Sequence, residues 1–193
     1  MKQLQPNGFV VQDISTAMFI PTNFKYSGIN AFCTFPLDSF SDKLSKSVSE
    51  RQFAKRSEDG KYEISEFISD PALLAEYLFV CQQKNIHIRL LLVESSYEHE
   101  VWNDPIPDRT ILGFEYCSLP ADEQIVSDID WYPPLRCFWH KMNSFGLFNS
   151  YQEAESFKKS YDKYVASGEI GDGIEEAYIM RVSVVSTFSF LKP

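Results

Sequence analysis

The chain has 193 residues, with 18 Lys+Arg against 27 Asp+Glu for a formal charge of −9. That length suits one domain, which can remove roughly 70% of its unfolded surface from water and needs no covalent staples. With 44% hydrophobic and 23% charged residues, 8 Gly and 10 Pro, the composition is ordinary for a globular protein, and collagen-like, low-complexity and Gly-rich scaffolds are excluded. The net negative charge disfavours nucleic acid and anionic membrane as partners.

Met1-Lys2-Gln3-Leu4-Gln5-Pro6 contains no apolar core, so no secretory signal is expected. No apolar run approaches the roughly 18 residues that a membrane helix needs. A soluble protein is therefore expected. Its cysteines at 33, 81, 117 and 137 show no CxxC spacing and are expected to be free thiols, with Cys81 a small core hydrophobe.

In chain order, Phe9-Val10-Val11 and Ala31-Phe32-Cys33-Thr34-Phe35 read as strands, and 40–56 as a polar helix, followed by a turn at Asp59-Gly60. The signals sharpen after Ser65. Ser69-Asp70-Pro71 combines cap formers with a proline at the first helical position, and Leu73, Leu74, Tyr77, Leu78 and Cys81 recur at helical spacing. Asn85 stops this helix. Ile86 to Val93 alternates as a strand, and Thr110 to Cys117 is another. Between them lies a loop containing Asp104-Pro105-Ile106-Pro107-Asp108. Pro133-Pro134 opens a short helix over 135–143 that Gly146 ends. Ser150-Tyr151-Gln152-Glu153 is a capping box. It starts a helix with Tyr151, Ala154, Phe157, Tyr161, Tyr164 and Val165 on one side, ended by Gly168. After a turn at Asp172-Gly173, Ala177 to Phe190 is the last strand. The expected fold is α+β in a single domain 1–193: a largely antiparallel sheet packed with about three helices. Residues 1–64 are the least readable part, and 65–193 form the acidic core.

Catalytic signatures are missing. There is no phosphate-binding Gly-rich loop before a helix, no Gly-x-Ser-x-Gly and no His-Glu-x-x-His. Cys137-x-x-His140 supplies two metal-ligand types at i, i+3, but zinc needs two more. No metal or cofactor is expected, and no enzymatic activity.

Charge is unevenly spread. Residues 1–64 hold 8 Lys+Arg and 7 Asp+Glu, while 65–193 hold 10 and 20. Ten acids fall between 94 and 130, opposed within that stretch by Arg109 alone. Aromatic residues are interleaved. Acids in loops steer a cationic partner, and aromatics among them supply anchoring area. The residues expected to contact a partner are Glu94, Tyr97, Glu98, Glu100, Trp102, Asp104, Asp108, Asp122, Glu123, Asp128, Asp130 and Trp131, with Trp102 the foremost anchor. The alternative is a solvated acidic surface with the aromatics turned inward.

Three segments carry a resemblance: Ile111-Leu112-Gly113-Phe114-Glu115-Tyr116; then Phe145-Gly146-Leu147-Phe148-Asn149-Ser150-Tyr151-Gln152-Glu153-Ala154-Glu155; and Ala177-Tyr178-Ile179-Met180-Arg181-Val182. Over about residues 70–190 this order resembles small bacterial immunity proteins of polymorphic-toxin and contact-dependent growth inhibition systems. The resemblance implies a cytoplasmic, non-enzymatic inhibitor that binds one cognate toxin. It carries over no functional residue. A monomer is expected, and the acidic stretch points to a cationic, nuclease-type toxin domain as that partner. Two other classes remain open on the residues themselves: another acidic inhibitor or DNA mimic, and a Cys- or carboxylate-dependent hydrolase.

Overall fold

The structure is a computed structural model that describes residues 3–13, 68–83, 85, 88–98, 101–118, 133–143, 145–170 and 177–186. Strands β1 (Gln5–Asp13), β2 (Ile88–Ser95), β3 (Arg109–Ser118) and β4 (Ala177–Val185) form a sheet of order β1-β2-β4-β3. Every neighbouring pair is antiparallel. With helices α1 (Pro71–Gln83) and α2 (Tyr151–Ala166) and a 3₁₀ helix over Pro133–Lys141, the protein has the α+β architecture that its sequence predicts.

Both α-helices begin where their caps place them. The Asp70 carboxylate accepts from the backbone N–H of Ala72 at 2.9 Å and of Leu73 at 3.4 Å, which satisfies two donors that the first turn would leave unpaired. Ser150 and Glu153 form the reciprocal box: Ser150 Oγ accepts from Glu153 N at 3.3 Å, and the Glu153 side chain accepts from Ser150 N at 3.1 Å. Asn85 and Gly168 stop the helices in left-handed conformations, at φ 52° and 74°.

Both helices pack on one face of the sheet, over separate cores. Leu74, Tyr77 and Cys81 of α1 meet Phe9, Leu90, Leu92 and Val185. Phe157 and Tyr161 of α2, with Leu135, Phe138 and Trp139 of the 3₁₀ helix, meet Tyr116, Phe148 and Ile179. The opposite face carries Leu91, Val93, Met180 and Val182, all fully buried, together with Leu147. The alternation expected for Ile86–Val93 thus appears as Leu90 and Leu92 toward one core, Leu91 and Val93 toward the other.

Two of the resembling segments lock together beside β3. Phe114 and Phe148 exchange backbone hydrogen bonds of 2.8 Å in both directions. The Asn143 amide donates to Leu112 O at 2.8 Å, and its carbonyl accepts from Phe145 N and Leu147 N. Gly113 lies at a register shift of β3, with φ +155°, and a Cβ there would sit 2.7 Å from both Leu147 Cβ and Phe148 O. The glycine of Leu-Gly-Phe-Glu-Tyr is thus required by the close approach of Gly-Leu-Phe-Asn-Ser. This contact covers part of the outer edge of β3. A matching pair of bonds between Phe9 and Ile68 covers part of the edge of β1.

The differences from expectation are local. The second strand runs Ile88–Ser95, two residues further than expected, because Glu94 and Ser95 are held by polar partners in the interior. The segment after Pro133 winds as a 3₁₀ helix. The last strand is described as far as Val185. The expected strand at 31–35, helix at 40–56 and turns at Asp59-Gly60 and Asp172-Gly173 lie outside the described residues.

Candidate functional site

The connection between β2 and β3, residues 96–108, follows from the topology. Both strands pair antiparallel with β4, so they run in the same direction, and the chain joining them must travel back along the sheet. On that path it inserts Trp102 edge-on against Phe9, with ring centroids 4.6 Å apart, and packs Ile106 on the same core.

Polar groups fix the rest of the connection. The Asn7 and Gln5 amides both donate to Tyr97 O, Asn7 at 2.9 Å. Ser95 Oγ donates to Asn7 Oδ1 at 2.7 Å and accepts from Tyr97 N at 3.0 Å. Trp102 N donates to Pro6 O at 2.8 Å, and Ser186 N to Asp108 O at 3.1 Å. Asn7 and Ser95 are fully buried and make the bonds that burial demands of them. The Tyr97 ring meets Tyr178 edge-on at 5.4 Å. Residues 96–98 and 101–108 are thereby held at their start, middle and end.

The expected contact residues fall into three groups. Glu98, Asp104 and Asp108 are exposed on this loop. Glu94, Tyr97 and Trp102 are 2%, 2% and 3% exposed, so their expected role as partner contacts is corrected: a partner cannot reach them in this fold. Tyr97 and Trp102 are buried because the loop crosses the sheet instead of projecting from it. Glu100, Asp122, Glu123, Asp128, Asp130 and Trp131 lie outside the described residues.

Glu94 is instead the centre of an ion cluster. Arg181 grips it in bidentate fashion, with Nε 2.7 Å from Oε2 and Nη2 2.6 Å from Oε1, and Arg109 Nη2 stands 3.1 Å from Oε1. Strand register brings this about, since Glu94 lies opposite Arg181. Hydrogen bonding to Glu94 raises the Arg181 guanidinium further above its ordinary value. Arg109, the one base inside the acidic stretch, is therefore engaged in the interior, and the second base comes from β4.

Glu115 is a second interior acid. It is 1% exposed, Oε2 has no hydrogen-bond partner among the described residues, and burial pushes its pKa up to about 8. Its neighbour Tyr116 donates to Asp162 at 3.3 Å, and burial together with that carboxylate raises the phenol pKa. Glu115 has the perturbed state of a candidate acid–base group, but it is closed off from a substrate. Cys137 and His140 are both exposed, and the Cys137 thiol lies 3.6 Å from Pro134 O. Among the described residues, no three His, Cys, Asp or Glu side chains cluster as metal ligands, and no helix is long and apolar enough to cross a membrane.

The chain matches no protein-family model, no curated protein and no solved structure.

Proposed function

We propose that this chain is an immunity-type inhibitor that binds a cationic toxin domain through the loop 96–108. The observation that carries the reading is the loop's construction: exposed Glu98, Asp104 and Asp108 stand on a backbone pinned by buried Asn7, Ser95, Tyr97 and Trp102. Acids on a pre-ordered backbone lose little entropy when a partner docks. Their field speeds encounter with a basic surface, and salt weakens it. Nuclease-type toxins bind polyanions and so carry basic clefts, which an acidic cover blocks without any chemistry. Cytoplasmic, monomeric action belongs to the same reading. Glu100, Asp122, Glu123, Asp128, Asp130 and Trp131 are proposed as further partner contacts.

The test pairs the chain with whatever toxin-type domain its neighbouring genes encode. The wild-type protein is expected to restore growth to cells expressing that domain, and its association rate to fall steeply with ionic strength. Asp104→Lys with Asp108→Lys is expected to slow association at least tenfold in low salt and to flatten the salt dependence. Failure to protect overturns the immunity reading. Protection with unchanged kinetics in the double variant moves the interface off this loop.

A further inference from the structure

Arg181 uses two N–H groups on Glu94, and Arg109 uses one on the same carboxylate. A guanidinium has five such donors. Most donors of the pair therefore meet no acceptor among the described residues, although each side chain is only 27% exposed. Two cations on one anion also leave the cluster with a net positive charge, inside a chain of net charge −9.

The surroundings add to this unspent capacity. Leu92, Ser183 and Ile111 form one row across the sheet, and Glu94, Arg181 and Phe114 form a neighbouring row on the same face. Ser183 Oγ is buried without a partner among the described residues. Ile111 is 53% exposed and supplies an apolar side. These rows run from the core under α1, which holds Leu92, to the core under α2, on which Phe114 packs.

We propose that Arg109 and Arg181 together bind the carboxylate of a small-molecule ligand. A planar monoanion matches the single excess charge, and its two oxygens match the guanidinium fork. A partly desolvated setting strengthens such a pair relative to water. The site is built from strand residues and does not rest on the toxin-binding reading, although Arg109 directly follows Asp108 of the partner-binding loop.

The experiment is an NMR titration of the full chain with acetate and with succinate, at ionic strength held constant with chloride. The arginine Nε–H signals and the Ile111 methyl signals are followed. Saturating shifts are expected for Arg109, Arg181 and Ile111. Arg109→Gln keeps the Glu94–Arg181 pair and is expected to weaken binding at least tenfold. Arg109→Lys keeps the charge without the fork and is expected to weaken it several-fold. Shifts that grow linearly, or that persist unchanged in Arg109→Gln, overturn the site. Unchanged affinity in Arg109→Lys overturns fork recognition, and saturation by inorganic phosphate alone overturns the carboxylate assignment.

Discussion

Glu94 on β2 and Glu115 on β3 are separated by β4 and lie on opposite faces of one sheet, since they stand opposite Arg181 and Met180. Each is almost completely buried. On one face the carboxylate is gripped by two guanidiniums. On the other, Glu115 stands opposite a methionine and burial holds its proton on. Burial alone therefore does not decide what a carboxyl does in an interior. The facing strand decides, by supplying a cation or an apolar side chain.

Removing the cation should do most to break this contrast. Arg181→Gln leaves Glu94 with Arg109 as its one cation, and taking one partner from a buried pair costs about 3–5 kcal/mol. Because Arg109 remains, the unfolding free energy from urea denaturation at neutral pH should fall by the lower end of that range, about 3 kcal/mol. A midpoint unchanged from wild type would mean that the cluster is not formed.

The second test concerns Glu115. Below about pH 4.5 folded and unfolded chains both hold its proton. Between that value and about 8 the unfolded chain releases it while the folded chain keeps it. Stability should therefore fall as pH rises through this window, by at most about 1.4 kcal/mol per pH unit. Glu115→Gln should flatten that slope and be more stable than wild type at the alkaline end. Denaturation midpoints across the window check this, and parallel curves for the two proteins would refute it.

The smallest effect is expected from Arg109→Gln. Arg109 makes one hydrogen bond to Glu94, against two from Arg181, so its loss should cost about 1.5 kcal/mol, the lower end for a bond between charged groups. A loss equal to that of Arg181→Gln would show that the two cations support Glu94 equally.

Much of the fold is legible in the order of residues alone. The caps at Asp70 and Ser150, the stop at Gly168 and the apolar spacing of both helices lie within a few residues of each other, so their physics is written locally. The candidate site is legible only in part. Glu98, Asp104 and Asp108 sit in a polar, Pro-containing loop, and such residues are exposed wherever the loop runs. Trp102 and Tyr97 share that loop and look equally available, but the parallel course of β2 and β3 turns them inward. Glu94 belongs by sequence to the acidic stretch, yet its main partner is 87 residues away. Glu115 shows no local sign of burial.

Helix starts, helix stops and strand alternation are determined by the sequence alone, because each depends on backbone donors and side chains within one or two turns. Which acid is a surface charge, which is half of an ion pair and which keeps its proton was decided by the tertiary structure. That choice depends on strand order and register, and these bring together residues too distant along the chain for any local pattern to record.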